Sequence, residues 1–267
     1  MSSTNPQTGV SIRQALSLVL VALLLVPSSF AAPQQSDIPD VTAMSMEDLM
    51  NMQVTSVSKR SQKLADAAAA VFVITQDDIR RSGATNIPEA LRMVPGIQVA
   101  RIDENKWAIA SRGFNGRFDN KLLVLIDGRS VYTPLFSGVY WNVQDVMLED
   151  VDRIEVIRGP GATLWGANAV DGVINIITKS AQSTQNAVVT AGGGTEERGA
   201  TNVRYGGKLN KDTYYRAYGK YFNFGPSVYP ATDVTANDNW DAWRGGFRTD
   251  WSPSGPNSVT LQGDVHR

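Results

Sequence analysis

The sequence contains no cysteine and a single histidine, His266. The missing cysteines exclude disulfide bonds, thiolate metal sites and a cysteine nucleophile. One histidine is too few for a multi-histidine metal site, and its place next to the end of the chain argues against a Ser-His-Asp triad. We therefore predict a binding or transport protein and not an enzyme, with no catalytic residues, no metal site and no cofactor.

An excess of charge of one sign is also missing. The chain has 25 Lys and Arg residues against 26 Asp and Glu residues, so nucleic acid is not an expected partner. The only long apolar run, from Ala15 to Val26, is shorter than the about 20 residues that a membrane-spanning helix needs. Any membrane crossing would therefore have to be made by β-strands.

The apolar run has the layout of an export signal. Arg13 precedes the run, Pro27 ends it, and Ser29-Phe30-Ala31 supplies small residues at the two positions that a signal peptidase reads. We predict cleavage after Ala31, and a buried core helix is the alternative.

A short β-prone stretch lies in the polar, irregular segment that follows. It consists of Met52, Gln53, Val54, Thr55, Ser56 and Val57. In a flexible tail, such a stretch can add itself as an edge strand to the sheet of a partner protein. A tail or a first strand without any partner is the alternative that the residues alone leave open.

The middle of the chain mixes strand and helix patterns. Val71–Ile74 has the pattern of a strand, Thr75 caps a helix that Gly83 ends, and a second helix begins near Asn86 and stops at Pro95-Gly96. The other strand patterns cover 97–101, 107–111, 121–126, 130–132, 154–157 and 173–178. These patterns predict a compact α+β domain.

From about residue 180 the pattern changes to long alternating strands. The strand patterns cover 187–193, 199–209, 213–222, 240–251 and 258–267. Aromatic-rich strands that are joined alternately by short turns and long loops are typical of a transmembrane β-barrel, and a soluble β-sandwich is the alternative. Residues 183–267 suffice for about five strands, whereas a barrel around a plug needs about 22, so we expect an incomplete barrel.

Several motifs, in this order, resemble the plug of TonB-dependent outer-membrane receptors. They are Val71 to Gly83, Ile87 to Leu91 with Val94-Pro95-Gly96, Ser111 to Phe114, Leu123 to Gly128, Val151 to Pro160, Trp165 to Val170 and Gly172 to Lys179. The resemblance implies an α+β plug domain followed by the first antiparallel strands of a transmembrane β-barrel, truncated at the C-terminus. It also implies that Met52–Val57 is the TonB box.

The resemblance divides the chain into four parts. They are a signal peptide over 1–31, a flexible periplasmic segment with the TonB-box-like stretch over 32–70, the plug domain over 71–180 and the first strands of an incomplete β-barrel over 181–267. A signal-transducing receptor is disfavoured, because the stretch between Ala31 and Val71 is too short for the extra domain that such receptors carry.

Two sets of site residues follow. The resemblance implies that Arg112, Glu155 and Arg158 find partners on the inner barrel wall, and solvated surface charge is the alternative. We expect the ligand surface in three loops, 103–107, 114–120 and 132–141. The expected contacts come from the first and the last of them: Asn105, Lys106, Trp107, Tyr132, Phe136, Tyr140 and Trp141. Exposed aromatic rings suit a large, partly planar chelate, although the last four residues could instead pack on the barrel wall.

The function that the resemblance implies is energy-coupled uptake of a scarce chelate across the outer membrane of a Gram-negative bacterium. The expected partners are TonB, outer-membrane lipid and a metal chelate, with a ferric siderophore as the first expectation. Cobalamin and haem are alternatives. An exported α+β ligand-binding protein that takes no part in transport is the alternative from another class.

Overall fold

The structure, a computed structural model, describes residues 51–67, 69–113, 115–229, 231–253 and 257–267. The predicted signal peptide and the beginning of the segment after it lie outside these described residues. Among the helices of the described part, none is both long enough and apolar enough to cross a membrane.

Sixteen strands and three α-helices follow one another in the described residues. In chain order they are β1 (Gln53–Val54), β2 (Gln62–Lys63), β3 (Val71–Thr75), α1 (Gln76–Ser82), α2 (Ile87–Leu91), β4 (Ile97–Asp103), β5 (Lys106–Ser111), β6 (Leu122–Ile126), β7 (Arg129–Ser130), β8 (Val151–Arg158), α3 (Ala162–Trp165), β9 (Gly172–Thr178), β10 (Asn186–Gly192), β11 (Glu197–Asn210), β12 (Thr213–Phe224), β13 (Val228–Tyr229), β14 (Val234–Thr235), β15 (Trp240–Trp251) and β16 (Val259–His266).

The plug region is built on a five-stranded mixed sheet in the order β3-β8-β9-β6-β7. Strands β6 and β9 run parallel, and the other neighbours run antiparallel. One face of the sheet packs against α1 and α2. The main core lies there and includes Ile74, Ile79, Ile87, Leu91, Ile154 and Ile174.

The second face of the plug sheet carries a smaller apolar cluster. Leu123, Leu125 and Val173 belong to it, and Val57 and Trp165 pack against it. The N-terminal segment and α3 therefore cover this face, and the sheet is buried on both sides. Burial on both sides explains why β6 is an unbroken apolar run, Leu-Leu-Val-Leu-Ile, with every residue buried.

A second five-stranded sheet, fully antiparallel, follows in the order β10-β11-β12-β15-β16. Its side chains alternate between two faces, as the pleat requires. Charged side chains on the inner face contact the plug. The outer face carries exposed apolar residues: Val189, Val203, Tyr205, Tyr221, Trp243, Phe247, Trp251, Val259, Leu261 and Val265.

The structure confirms most of the predicted elements, and their ends agree with the prediction to within three residues. Helix α1 has the predicted cap, with a reciprocal capping box between Thr75 and Asp78 and a left-handed Gly83 at its end. Asp127 and Gly128, predicted as a turn, have φ values of 49° and 79°, as a type I′ hairpin turn requires. The short helix α3 and the β13–β14 hairpin within the predicted loop 224–239 were not predicted.

Candidate functional site

Residues 52–57, the predicted TonB box, lie against the second face of the plug sheet. Val54 and Ser56 are 0% exposed. Gln53–Val54 forms β1, which pairs antiparallel with β2. The sequence predicted a polar and irregular segment here, but the stretch folds back on its own chain and docks on the plug.

Glu155 holds this segment from the middle of β8. The backbone N–H groups of Thr55 and Ser56 donate to Glu155 Oε2 at 2.9 and 2.8 Å, and the Ser56 hydroxyl donates to the same oxygen at 2.5 Å. Glu155 is 0% exposed, and Arg153 Nε donates to its Oε1 at 2.8 Å. A buried carboxylate needs such partners, and hydrogen bonds to an ionised acceptor are the strong ones.

Two further side chains fix Ser56 in place. Asn175, the neighbour of Glu155 on β9, donates through Nδ2 to Ser56 Oγ at 3.0 Å. Trp165 of α3 donates through Nε1 to the Ser56 carbonyl oxygen at 2.7 Å. We call the contacts of Thr55 and Ser56 with Glu155, Asn175 and Trp165 the latch.

The latch differs from what was expected of Glu155. A partner on the barrel wall was expected, but its hydrogen bonds in the described structure all go to Thr55, Ser56 and Arg153. Arg158 Nη1 donates to the Pro95 carbonyl oxygen at 3.0 Å, within the plug. Arg112 is exposed. Contacts of Arg112 and Arg158 with a barrel wall remain predictions.

The plug meets the second sheet through a row of inward-facing cations. They are Arg204 on β11, Arg216 and Lys220 on β12, and Arg244 and Arg248 on β15. All except Arg248 are buried, with 5–8% exposure. We call these five residues the cation row. None of them was among the predicted site residues, although the alternation pattern of β12 places Arg216 and Lys220 on one face.

The cation row binds carboxylates and carbonyl groups in residues 127–179. Lys220 Nζ lies 2.8 Å from Asp145 Oδ1, and Arg204 forms an ion pair with Asp150. Arg216 donates to the carbonyl oxygen of Lys179 at 2.6 Å. Buried charges require partners of this kind, so the row specifies where the plug sits against the strands.

The β4–β5 turn makes a separate contact with the second sheet. Glu104 is 6% exposed and forms an ion pair with Arg101. Ser227, in the loop between β12 and β15, lies with its Oγ 2.7 Å from Glu104 Oε1 and 2.7 Å from Asp238 Oδ2. The plug thus contacts the strands of the second sheet through the cation row, and contacts this loop through a separate polar contact.

The seven predicted ligand contacts do not form one surface. Trp107 and Trp141 are each 6% exposed and belong to the main core, which favours packing as their role. Lys106 forms an ion pair with Asp103, and Asn105 lies in the same β4–β5 turn. Tyr132 is half-buried.

An aromatic cluster forms around the remaining two predicted contacts. The Phe136 ring is stacked on Phe118 with centroids 5.4 Å apart, and Tyr140 meets both rings edge-on at 5.5 and 5.2 Å. Phe136 is 53% exposed. Beside Phe118, partial burial and the nearby carboxylate of Asp171 raise the pKa of Asp119. The described residues contain no group of three or more His, Asp or Glu side chains arranged for a metal ion.

Comparisons with known proteins decide the family. The family model of the TonB-dependent receptor plug domain matches residues 63–173. The vitamin B12 transporter BtuB of Vibrio cholerae serotype O1 is 31% identical over 239 residues, which is 89% of this chain and 36% of the transporter. The chain belongs to the TonB-dependent receptor family.

Solved structures of other TonB-dependent receptors share the fold. The ferripyoverdine receptor of the outer membrane of Pseudomonas aeruginosa superposes with a TM-score of 0.62 at 18% identity, over 80% of this chain and 27% of that one. The siderophore receptor PirA of the same organism gives 0.52 at 26% identity, over 75% and 36%. The predicted fold class, a plug followed by antiparallel barrel strands, is confirmed. The chain spans 28–36% of the length of the vitamin B12 transporters it matches.

Proposed function

We propose that this chain forms the plug and first barrel strands of an outer-membrane receptor of a Gram-negative bacterium, which takes up a scarce metal chelate with energy delivered by TonB. The latch is the observation that carries the proposal. It holds Met52–Val57, immediately before the matched plug domain, by polar contacts to the plug that can be exchanged.

The energetics explain why such a receptor needs coupling. Capture at nanomolar affinity corresponds to about 12 kcal/mol, so spontaneous release of the ligand is slow. Mechanical work on the plug, delivered through TonB, therefore has to open a path for the ligand through the barrel. Ligand binding frees Met52–Val57, TonB pairs with the segment as an added strand and pulls, and the plug rearranges. The polar contacts of the cation row can exchange with water during this movement.

Two ligand classes are supported by different observations. The identity of 31% over 89% of the chain to a vitamin B12 transporter favours a cobalamin as the first candidate. The likeness to a siderophore receptor at 26% identity supports a ferric siderophore as the second. The cluster of Phe118, Phe136 and Tyr140 offers ring faces and edges to a large, partly planar chelate of either class.

Deletion of residues 52–57 tests the coupling role. We expect cells that express the deletion variant to bind radiolabelled cyanocobalamin normally but to lose its uptake, since the ligand surface is intact and TonB has no strand to pair with. An equally long deletion over residues 38–43 is the control and should leave both unchanged. Uptake by the 52–57 deletion variant would refute the mechanism. Binding of a ferric siderophore but not of cyanocobalamin would select the second candidate.

A further inference from the structure

One edge of the TonB box is already paired within the chain. In the β1–β2 ladder, Gln53 lies opposite Lys63 and Val54 opposite Gln62. The Leu64 N–H extends this pairing by donating to the Met52 carbonyl oxygen at 2.8 Å. Residues 61–64 thus occupy the position that an added strand from another protein would take.

The backbone groups that follow β1 are also engaged. The N–H groups of Thr55 and Ser56 donate to Glu155, and the Ser56 carbonyl oxygen accepts from Trp165. Strand addition requires unpaired backbone donors and acceptors. A partner can therefore pair with Met52–Val57 in this state only by displacing bonds that are already made.

The two strands of this pair differ in how firmly they are held. Val54 of β1 is 0% exposed, whereas β2 and the turn Leu64–Asp66 after it contain no buried residue. A partner that approaches from solvent therefore meets β2 first. A pair with two residues in each strand is marginal on its own, so β2 can leave at little cost.

We propose that residues 61–64 are an internal substitute for the TonB strand, and that TonB binds by exchange at this edge of β1. The inference rests on the proposed coupling role of Met52–Val57. Exchange replaces the backbone bonds of β2 with equivalent bonds to TonB, so their number is conserved. The hydrogen bonds from Thr55 and Ser56 to Glu155 are not replaced by bonds to TonB. Ligand binding therefore has to provide the free energy that breaks them.

A reversible crosslink tests whether β2 has to leave. Because the chain has no cysteine, Gln53→Cys combined with Lys63→Cys adds a single pair. Directly opposed residues of an antiparallel ladder lie about 4.5–5.5 Å apart, within the range of a disulfide. We expect the oxidised receptor to bind the purified periplasmic domain of TonB at least about tenfold more weakly than the reduced receptor. Equal affinity of the two forms would overturn the proposal.

Leu64→Pro tests the inference in the opposite direction. Proline removes the N–H that bonds to Met52 and fits the first position of the turn Leu64–Asp66. Without added ligand, we expect this variant to bind the TonB domain about fivefold more tightly. The control, Ala67→Pro, removes an N–H that bonds to Leu64 and should leave the affinity unchanged.

The outcomes separate this inference from the function on which it rests. Unchanged affinity in Leu64→Pro and in the oxidised crosslink overturns strand exchange alone, if the 52–57 deletion still abolishes uptake. Failure of the unmodified receptor to bind the TonB domain, with and without cyanocobalamin, overturns both.

Discussion

At the scale of single residues, Glu155 holds the segment Met52–Val57 against the plug. It is a fully buried carboxylate that receives two backbone N–H groups and a hydroxyl from a segment about a hundred positions away in sequence. Hydrogen bonds to a charged group contribute about 1.5–3 kcal/mol each, so neutralising the acceptor should shift the docking equilibrium measurably.

We predict that Glu155→Gln releases the segment. The variant keeps the size of the side chain but loses its charge and one acceptor oxygen. A spin label on Gln53→Cys, at an exposed position, should show narrower spectral lines with an undocked population at least about tenfold larger. Glu89→Gln is the control, because Glu89 pairs with Arg92 on the partly exposed surface of α2. An unchanged spectrum in Glu155→Gln would show that other contacts hold the segment.

The latch also marks the limit of what local sequence patterns reveal. The strand pattern over 154–157 contains Glu155 and indicates a charge beside apolar residues. It contains no information on the partner, because Ser56 lies 99 positions earlier and reaches Glu155 only through the tertiary fold. The sequence therefore predicted a charge in need of a partner, and the structure shows that its partners include Thr55 and Ser56.

At the scale of elements, long helices and strands were easier to predict from the sequence than short ones. Helix α1 and the long strands β11, β12 and β15 were predicted, because caps and alternation are properties of neighbouring residues. The strands β1 and β2 have two residues each, too few for any periodicity. Tertiary contacts decide such short elements, so β2 was not predicted, and for β1 the sequence indicated only the β-prone stretch Met52–Val57 that contains it.

The contact between the cation row and the turn Leu148–Asp150 gives a prediction at this scale. Asp150 is 3% exposed, forms an ion pair with Arg204 and lies 3.5 Å from Arg216 Nε. Asp150→Asn leaves these cations without a charged partner in a buried position. Loss of one member of a buried pair costs about 3–5 kcal/mol, so we expect the plug to unfold at a lower urea concentration than in the unmodified protein.

Tryptophan fluorescence during urea titration measures this effect. The matched control is Asp152→Asn, two positions away, where the side chain is 45% exposed and the expected cost is small. Equal shifts in the two variants would mean that the cation row does not stabilise the seated plug.

At the scale of the whole molecule, the second sheet has one charged face and one apolar face, as the wall of a plugged barrel in a membrane requires. Its inner face carries buried cations that bind the plug, and its outer face carries exposed apolar side chains such as Val203, Phe247 and Leu261. A soluble β-sandwich, the alternative left open by the sequence, would bury an apolar face between its sheets. The inner face of this sheet is charged, which favours its interpretation as a barrel wall over a soluble β-sandwich.

The outer face provides a prediction that depends on depth in the bilayer. Val203 lies near the middle of β11 and is 46% exposed, whereas Leu209 lies near the end of the same strand and is 65% exposed. An arginine at the bilayer midplane of a barrel costs about 2–4 kcal/mol, and near the interface about 0–1 kcal/mol. We therefore expect Val203→Arg to destabilise the receptor in lipid vesicles much more than Leu209→Arg.

Urea titration of the receptor in vesicles would measure both costs on the same strand. In water the order would not follow depth, because both side chains are exposed and a surface substitution changes stability by only about 0.5 kcal/mol. A larger cost at Val203 than at Leu209 therefore requires a hydrocarbon layer around the middle of β11. Equal costs at the two positions would mean that the outer face of this sheet does not contact lipid.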